Sequence, residues 1–169
     1  MELIKELPAL GRDLGPGLIL IGLTSLAAIL VGCLFEEWET LPWMATATVS
    51  LCGIGLLLRF LPKTSKVPRT STSIAATALV WVIVGLCGSL PFLFTGMSFL
   101  DAAFESMSAW TGTGFSIAED IEAWPKTLLF WRSFMQWVGG LGIVAFTLTV
   151  ATRSGLVTRG LYNSESGSQ

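Results

Sequence analysis

The sequence predicts an all-α integral membrane protein: four transmembrane helices, with a shorter helix and a loop inserted between the last two. Three observations carry this expectation. Four long apolar runs each approach the roughly 20 residues needed to cross hydrocarbon. Of the 169 residues, 52% are hydrophobic and only 13% charged, outside the range of soluble domains. Finally, Lys and Arg alternate between the ends of the apolar runs as topology rules require.

The first run, residues 17–35 (GLILIGLTSLAAILVGCLF), is too long and lacks the A-x-A site of a cleaved signal. The second is 43–61 (WMATATVSLCGIGLLLRFL), the third spans about 74–96, and the fourth is 128–151 (LLFWRSFMQWVGGLGIVAFTLTVA). Lys5 and Arg12 precede the first run. Arg59, Lys63, Lys66 and Arg69 surround the loop after the second, and Arg153 and Arg159 follow the fourth. These eight mark the cytoplasmic side. The loop EEWET (36–40) has three Glu and no basic residue, and 97–127 has five carboxylates against Lys126 alone, so both face outward. Both termini are therefore expected in the cytoplasm. Cys33, Cys52 and Cys87 lie inside apolar runs without zinc-binding spacing and are expected to be packing residues. The chain has no His, which removes the commonest general base and transition-metal ligand, so no enzyme is expected. The Trp residues, including Trp38, Trp43, Trp110, Trp124, Trp131 and Trp137, are expected mostly at the interfaces.

Between the last two runs, Leu100, Ala103, Phe104, Met107 and Trp110 recur at helical spacing, with Ser98 or Asp101 placed to cap the helix. A helix over 100–110 is about 16 Å long, enough to enter a bilayer halfway but not to cross it. Thr111-Gly112-Thr113-Gly114 follows directly. Glycines permit positive φ, so successive carbonyls can turn toward one axis, and threonine hydroxyls add oxygens that can replace a cation's water shell. The helix would direct the negative end of its dipole at that spot. The spacing alone also fits a tight external turn between two spans.

The stretch DAAFESMSAWTGTGFS, followed after an acidic linker by WPKTLLFWRSFMQWVGGLGIVAFTL, resembles the first membrane–pore–membrane repeat of the Trk/Ktr/HKT superfamily of potassium transporters. The matching features are the F-E-S-x-S pore helix, the T-x-T-G filter and the W-R-S-x-x-Q-W-x-G-G-x-G helix start, which together cover 101–145. The resemblance implies a re-entrant pore helix and a filter loop. It implies an N-terminal transmembrane pair over 1–66, a repeat over 67–152, and a cytoplasmic tail or linker to a missing repeat over 153–169. Family members carry four repeats and this chain carries one, so it is expected to supply one loop of a four-loop filter, as a fragment or, alternatively, as a self-assembling tetramer.

The expected function is potassium uptake across a bacterial or archaeal plasma (inner) membrane, with potassium as the transported substrate and no cofactor. The alternative is a non-transporting partial repeat that assembles with, or remains from, a full-length transporter. Expected partners are membrane lipid, the remaining repeats or further copies of this chain, and a cytoplasmic nucleotide-binding regulatory subunit; no nucleic acid is expected. Thr111, Gly112, Thr113 and Gly114 form the expected potassium-binding filter, with Gly114 matching the family's constant glycine. Gly114 is expected to hold a positive φ that turns its own and its neighbours' carbonyls to the pore. Glu105 and Arg132 are expected to support the loop, by hydrogen bonding its backbone and by anchoring it to the last helix. Phe115 is expected to wedge behind the filter, and Ser116 to be replaceable with little effect. Asp101, Glu119, Asp120 and Glu122 are candidates to ring the outer mouth. Gly139, Gly140 and Gly142 are expected to let the last helix pack closely.

Overall fold

The computed structural model describes residues 2–61 and 70–153, all of its regular elements helical. Lys63, Lys66, Arg69 and Arg159, the expected division at 66/67 and most of the expected tail lie outside the described residues.

Helices α1 (Glu2–Thr24) and α2 (Leu26–Leu34) run on from one another and supply the first apolar span, Leu14–Leu34. At the junction, Thr24 and Ser25 turn their hydroxyls back onto the carbonyls of Ile21 and Gly22, both at 2.6 Å, which loosens the helical ladder locally. Helix α3 (Leu41–Arg59) is the second span. It meets α1 backbone to backbone: a Cβ on Gly15 would come within 2.6 Å of the Gly55 carbonyl oxygen, and one on Gly55 within 2.7 Å of that of Gly15. Helix α4 (Thr70–Ser89) and a 3-10 segment (Leu90–Thr95) make the third span. Pro91, which has no N–H to continue the α-helical ladder, lies at the changeover, and Gly96 ends the segment at φ 82°.

Helix α5 (Phe99–Trp110) is the short inserted helix. Ser98 caps it, accepting from the Asp101 amide at 3.2 Å while donating to the Asp101 carboxylate at 2.7 Å. Helix α6 (Lys126–Arg153) is the fourth span, with Lys126–Leu148 its apolar part. Among the described residues four helical spans are thus long and apolar enough to cross a membrane, and α5 is not one of them.

Cross-links fix which helix ends lie together. At one end, Glu37 in the α2–α3 loop caps α6, accepting from the amides of Lys126 at 2.7 Å and Thr127 at 2.8 Å and from the Thr127 hydroxyl at 2.6 Å. At the other end, Arg12 of α1 donates to the Leu61 carbonyl just beyond α3 at 3.4 Å. Both contacts fit an alternating arrangement of the first, second and fourth spans. Burial raises the Glu37 carboxyl, but the hydrogen bonds from Thr127 and Lys126 and the Lys126 charge outweigh it, so it titrates below its ordinary value.

The core runs from Leu18, Met44 and Leu51 on α1 and α3 into the part enclosed by α4, α5 and α6. Trp110 and Trp131 pack edge to face, centroids 6.2 Å apart, and the Trp131 indole N–H donates to the Gly88 carbonyl at 3.0 Å. Trp110, Trp124 and Trp131 are buried, so protein rather than lipid headgroups covers them. Trp124 packs against Phe92 of the 3-10 segment, ring centroids 5.4 Å apart. Trp38, Trp43 and Trp137 are exposed, as interfacial residues are. Of the three cysteines only Cys87 is buried; Cys33 is exposed and Cys52 intermediate, so the packing role expected of all three fits Cys87 alone in full.

Candidate functional site

The residues after α5 form a loop whose shape follows from how the helix ends. Its last carbonyls are taken by groups just downstream: Met107 accepts from the Thr111 amide at 2.9 Å, Ala109 from the Gly112 amide at 3.0 Å, and Ser108 from the Gly114 amide at 3.3 Å. The threonine hydroxyls join in, Thr111 donating to Met107 at 2.8 Å and Thr113 to Ser108 at 3.1 Å. Gly112 and Gly114 take φ values of 73° and 74°, left-handed conformations that strain any residue with a Cβ.

Ser108 is the hub of the loop. Its hydroxyl donates to the Phe115 carbonyl at 2.6 Å and lies 3.2 Å from the Thr113 hydroxyl. Glu105, fully buried one turn earlier, accepts from the Ile117 amide at 2.7 Å, from the Ser116 hydroxyl, and from Arg132 Nε at 3.1 Å. Arg132 on α6 also donates to the carbonyls of Gly114 at 3.1 Å and Phe115 at 3.3 Å. One carboxylate and one guanidinium thus tie α5, the loop and α6 together, each neutralising the other where burial would penalise either alone.

Three expectations change. The Gly114 carbonyl is turned toward Arg132 rather than to the open side, because the guanidinium offers it a charged donor. The Phe115 ring is 72% exposed and wedges behind nothing in this chain; its carbonyl is what the protein holds. Ser116 is part of the support, since it bonds Glu105 and accepts from the Ala118 amide at 3.1 Å.

Among the described residues none donates to the carbonyls of Thr111, Gly112 or Thr113, and all three residues are exposed. Consecutive unpaired carbonyls on an otherwise fastened loop, at the C-terminal end of a helix, present partial negative charge to a cation at little cost in reorganisation. The outer acidic residues divide. Asp101 serves the α5 cap and Asp120 accepts from the amides of Glu122 and Ala123 at 3.1 and 3.3 Å, whereas Glu119 and Glu122 are exposed.

Sequence reasoning passed over Ser108, Glu37 and Gln136. Ser108 stood in the quoted F-E-S-x-S pattern, at a helix end where a hydroxyl can reach loop carbonyls. Glu37 gave no local signal, since its partners lie about 90 residues away. Gln136 stood in the W-R-S-x-x-Q pattern, one turn beyond Arg132; its amide nitrogen is 3.0 Å from where a Cβ on Gly114 would sit.

Over residues 43–169 the chain matches the TrkH family, described as a cation transport protein. It is 36% identical over 164 residues to an uncharacterized cation transporter of Methanocaldococcus jannaschii, covering 95% of this chain and 34% of that protein. It is 35% identical to the Trk system potassium uptake protein TrkH of Halomonas elongata, covering 91% of this chain and 33% of the relative. The crystal structure of the potassium transporter TrkH from Vibrio parahaemolyticus superposes with a TM-score of 0.77 at 31% identity, over 85% of this chain and 31% of that one. The chain spans about a third of the length of these relatives.

Proposed function

The chain belongs to the TrkH family of cation transport proteins, a multi-pass membrane family, and from that premise we propose that it takes part in potassium uptake, supplying one loop of a four-loop selectivity filter. In this reading α5 is a re-entrant pore helix, and Thr111, Gly112, Thr113 and Gly114 are the potassium-binding segment. The carbonyls of residues 111–113 face the ion, and Gly114 makes the turn that hands the chain to Arg132. Glu105, Arg132 and Ser108 hold the segment in place. The observation that carries the reading is the run of three unpaired carbonyls on a loop fastened at both sides by α5 and α6. Relatives named as a potassium uptake protein and a potassium transporter agree with it.

The remaining ring is supplied by further repeats or further copies of this chain. An N-terminal helix pair over 1–66, a repeat over 67–152, and a tail or linker over 153–169 divide the sequence accordingly. The eight-to-one split of Lys and Arg between the two ends supports an orientation with both termini in the cytoplasm, and the reading takes the membrane to be a bacterial or archaeal plasma membrane. A nucleotide-binding regulatory subunit would dock from that side.

Growth of potassium-uptake-deficient bacteria at low potassium tests this. A transporter carrying four repeats, with this chain's repeat as the first, restores growth, and the chain alone does not, because loop carbonyls without opposing loops leave the ion half hydrated and the backbone unenclosed. Failure of the four-repeat transporter at normal membrane levels would overturn the reading. Rescue by the chain alone would replace the single-loop account with a self-assembled ring.

A further inference from the structure

Arg132, Gln136 and Gly139 lie on one stripe of α6 and meet successive parts of the loop. Arg132 grips the carbonyls of Gly114 and Phe115, and Gln136 approaches Gly114. Gly139 presents no side chain. A Cβ built there would lie 1.9 Å from the Trp110 carbonyl oxygen and 2.7 Å from its carbonyl carbon, both backbone atoms. The bare α-carbon therefore sits directly on the carbonyl of the last α5 residue, with a Cα hydrogen where the Cβ would be, the arrangement of a Cα–H···O contact.

The Trp110 side has little room to yield. Its ring is buried and packed edge-on against Trp131, and its indole Nε1 is a buried polar atom without a partner among the described residues. An unpartnered N–H is tolerated where other contacts dictate the position of the residue. No described residue donates a hydrogen bond to the Trp110 carbonyl, so Gly139 is what it rests on.

We propose that Gly139 is a positioning residue for the ion-coordinating loop: the exposed α6 backbone seats the Trp110 carbonyl and fixes the inner end of the loop, as Arg132 fixes its outer end. The inference rests on the proposed potassium-binding role of residues 111–114. Any side chain at 139 forces the Trp110 carbonyl from 1.9 Å to at least the 3.0 Å that real contacts respect, and Thr111 is the next residue. Gly140 offers a matched comparison, since a Cβ there meets nothing within 4 Å.

The test uses the four-repeat transporter in proteoliposomes, reading the potassium-over-sodium preference of uptake for Gly139→Ala, Gly140→Ala and Gly114→Ser. Gly139→Ala is expected to lose about tenfold in preference, since a displacement of about 1 Å moves the first coordinating carbonyl. Gly140→Ala, which changes helix propensity in the same way, stays within about twofold. Unchanged preference in Gly139→Ala with a loss in Gly114→Ser overturns the seat and leaves the filter reading standing. No change in either overturns both. If Gly139→Ala fails to reach the membrane, the unsubstituted transporter is labelled with carbonyl-13C Trp and Cα-13C Gly and examined by solid-state NMR in potassium. A Trp110–Gly139 cross-peak supports the seat, and its absence overturns it.

Discussion

Replacing Glu105 by Gln removes one charge and almost no volume, and the geometry sets the cost. The carboxylate serves three donors at once: Arg132 Nε at 3.1 Å, the Ile117 amide at 2.7 Å and the Ser116 hydroxyl. A carboxamide has one oxygen. If that oxygen faces Ile117 and Ser116, its NH2 opposes the guanidinium; if it faces Arg132, the NH2 opposes the Ile117 N–H. Either orientation leaves at least one buried donor unpaired and removes the countercharge of a guanidinium whose side chain is only 13% exposed. Losing one charge-assisted hydrogen bond costs about 1.5–3 kcal/mol, and a largely covered guanidinium left without its countercharge carries it toward the upper end. Reversible unfolding in mixed micelles should show a loss of that size, and hydrogen exchange should show the Ile117 amide opening faster while amides in α1 and α3 keep their rates. Ser116→Ala should cost less, about 1 kcal/mol, because Ile117 and Arg132 still hold the carboxylate. A Glu105→Gln protein within about 0.5 kcal/mol of the original, with Ile117 equally protected, would refute the claim that this carboxylate organises the loop.

Glu37 should give the outer end of α6 a pH dependence. Its folded pKa is depressed below the ordinary 4.5, so its stabilisation is complete above that value and is lost as pH falls through the lower folded one. Exchange at the Lys126 and Thr127 amides should therefore accelerate in acid. Glu37→Gln should accelerate it at neutral pH already, by about 0.5–1 kcal/mol of local opening, with no further acid step; an unchanged acid step would assign it to another group. In a background without the native cysteines, Trp38→Cys should react with an impermeant thiol reagent from outside the cell and Phe60→Cys only after permeabilisation. The reverse pattern would invert the proposed topology.

The helices were legible because membrane burial leaves a one-dimensional trace: an apolar run of fixed length, bounded by charges of known preference. Expected spans at 17–35 and 43–61 correspond to Leu14–Leu34 and Leu41–Arg59, and the short helix begins one residue before its expected start. The positive φ at Gly114 was likewise legible, since glycine in such a run has few other reasons to be there. Carbonyl direction was not. Whether the Gly114 oxygen faces an ion or Arg132 depends on a side chain 18 positions away, which no local pattern encodes. Trp110 and Trp131 escaped for a related reason: an aromatic near a span end reads the same whether a lipid headgroup or a neighbouring helix covers it.

Relative uptake of potassium and sodium by the four-repeat transporter, with and without Gly114→Ser, tests the central claim most directly. Serine at φ 74° costs about 1–2 kcal/mol in backbone strain. Its Cβ would also press to 3.0 Å from the Gln136 amide nitrogen, so that side-chain end must give by a few tenths of an ångström beside the loop. The account predicts at least about a tenfold fall in potassium preference, equivalent to roughly 1.4 kcal/mol, at unchanged membrane abundance. A preference that stays intact in the variant would contradict it, and residues 111–114 would then be a turn between two spans rather than part of an ion path.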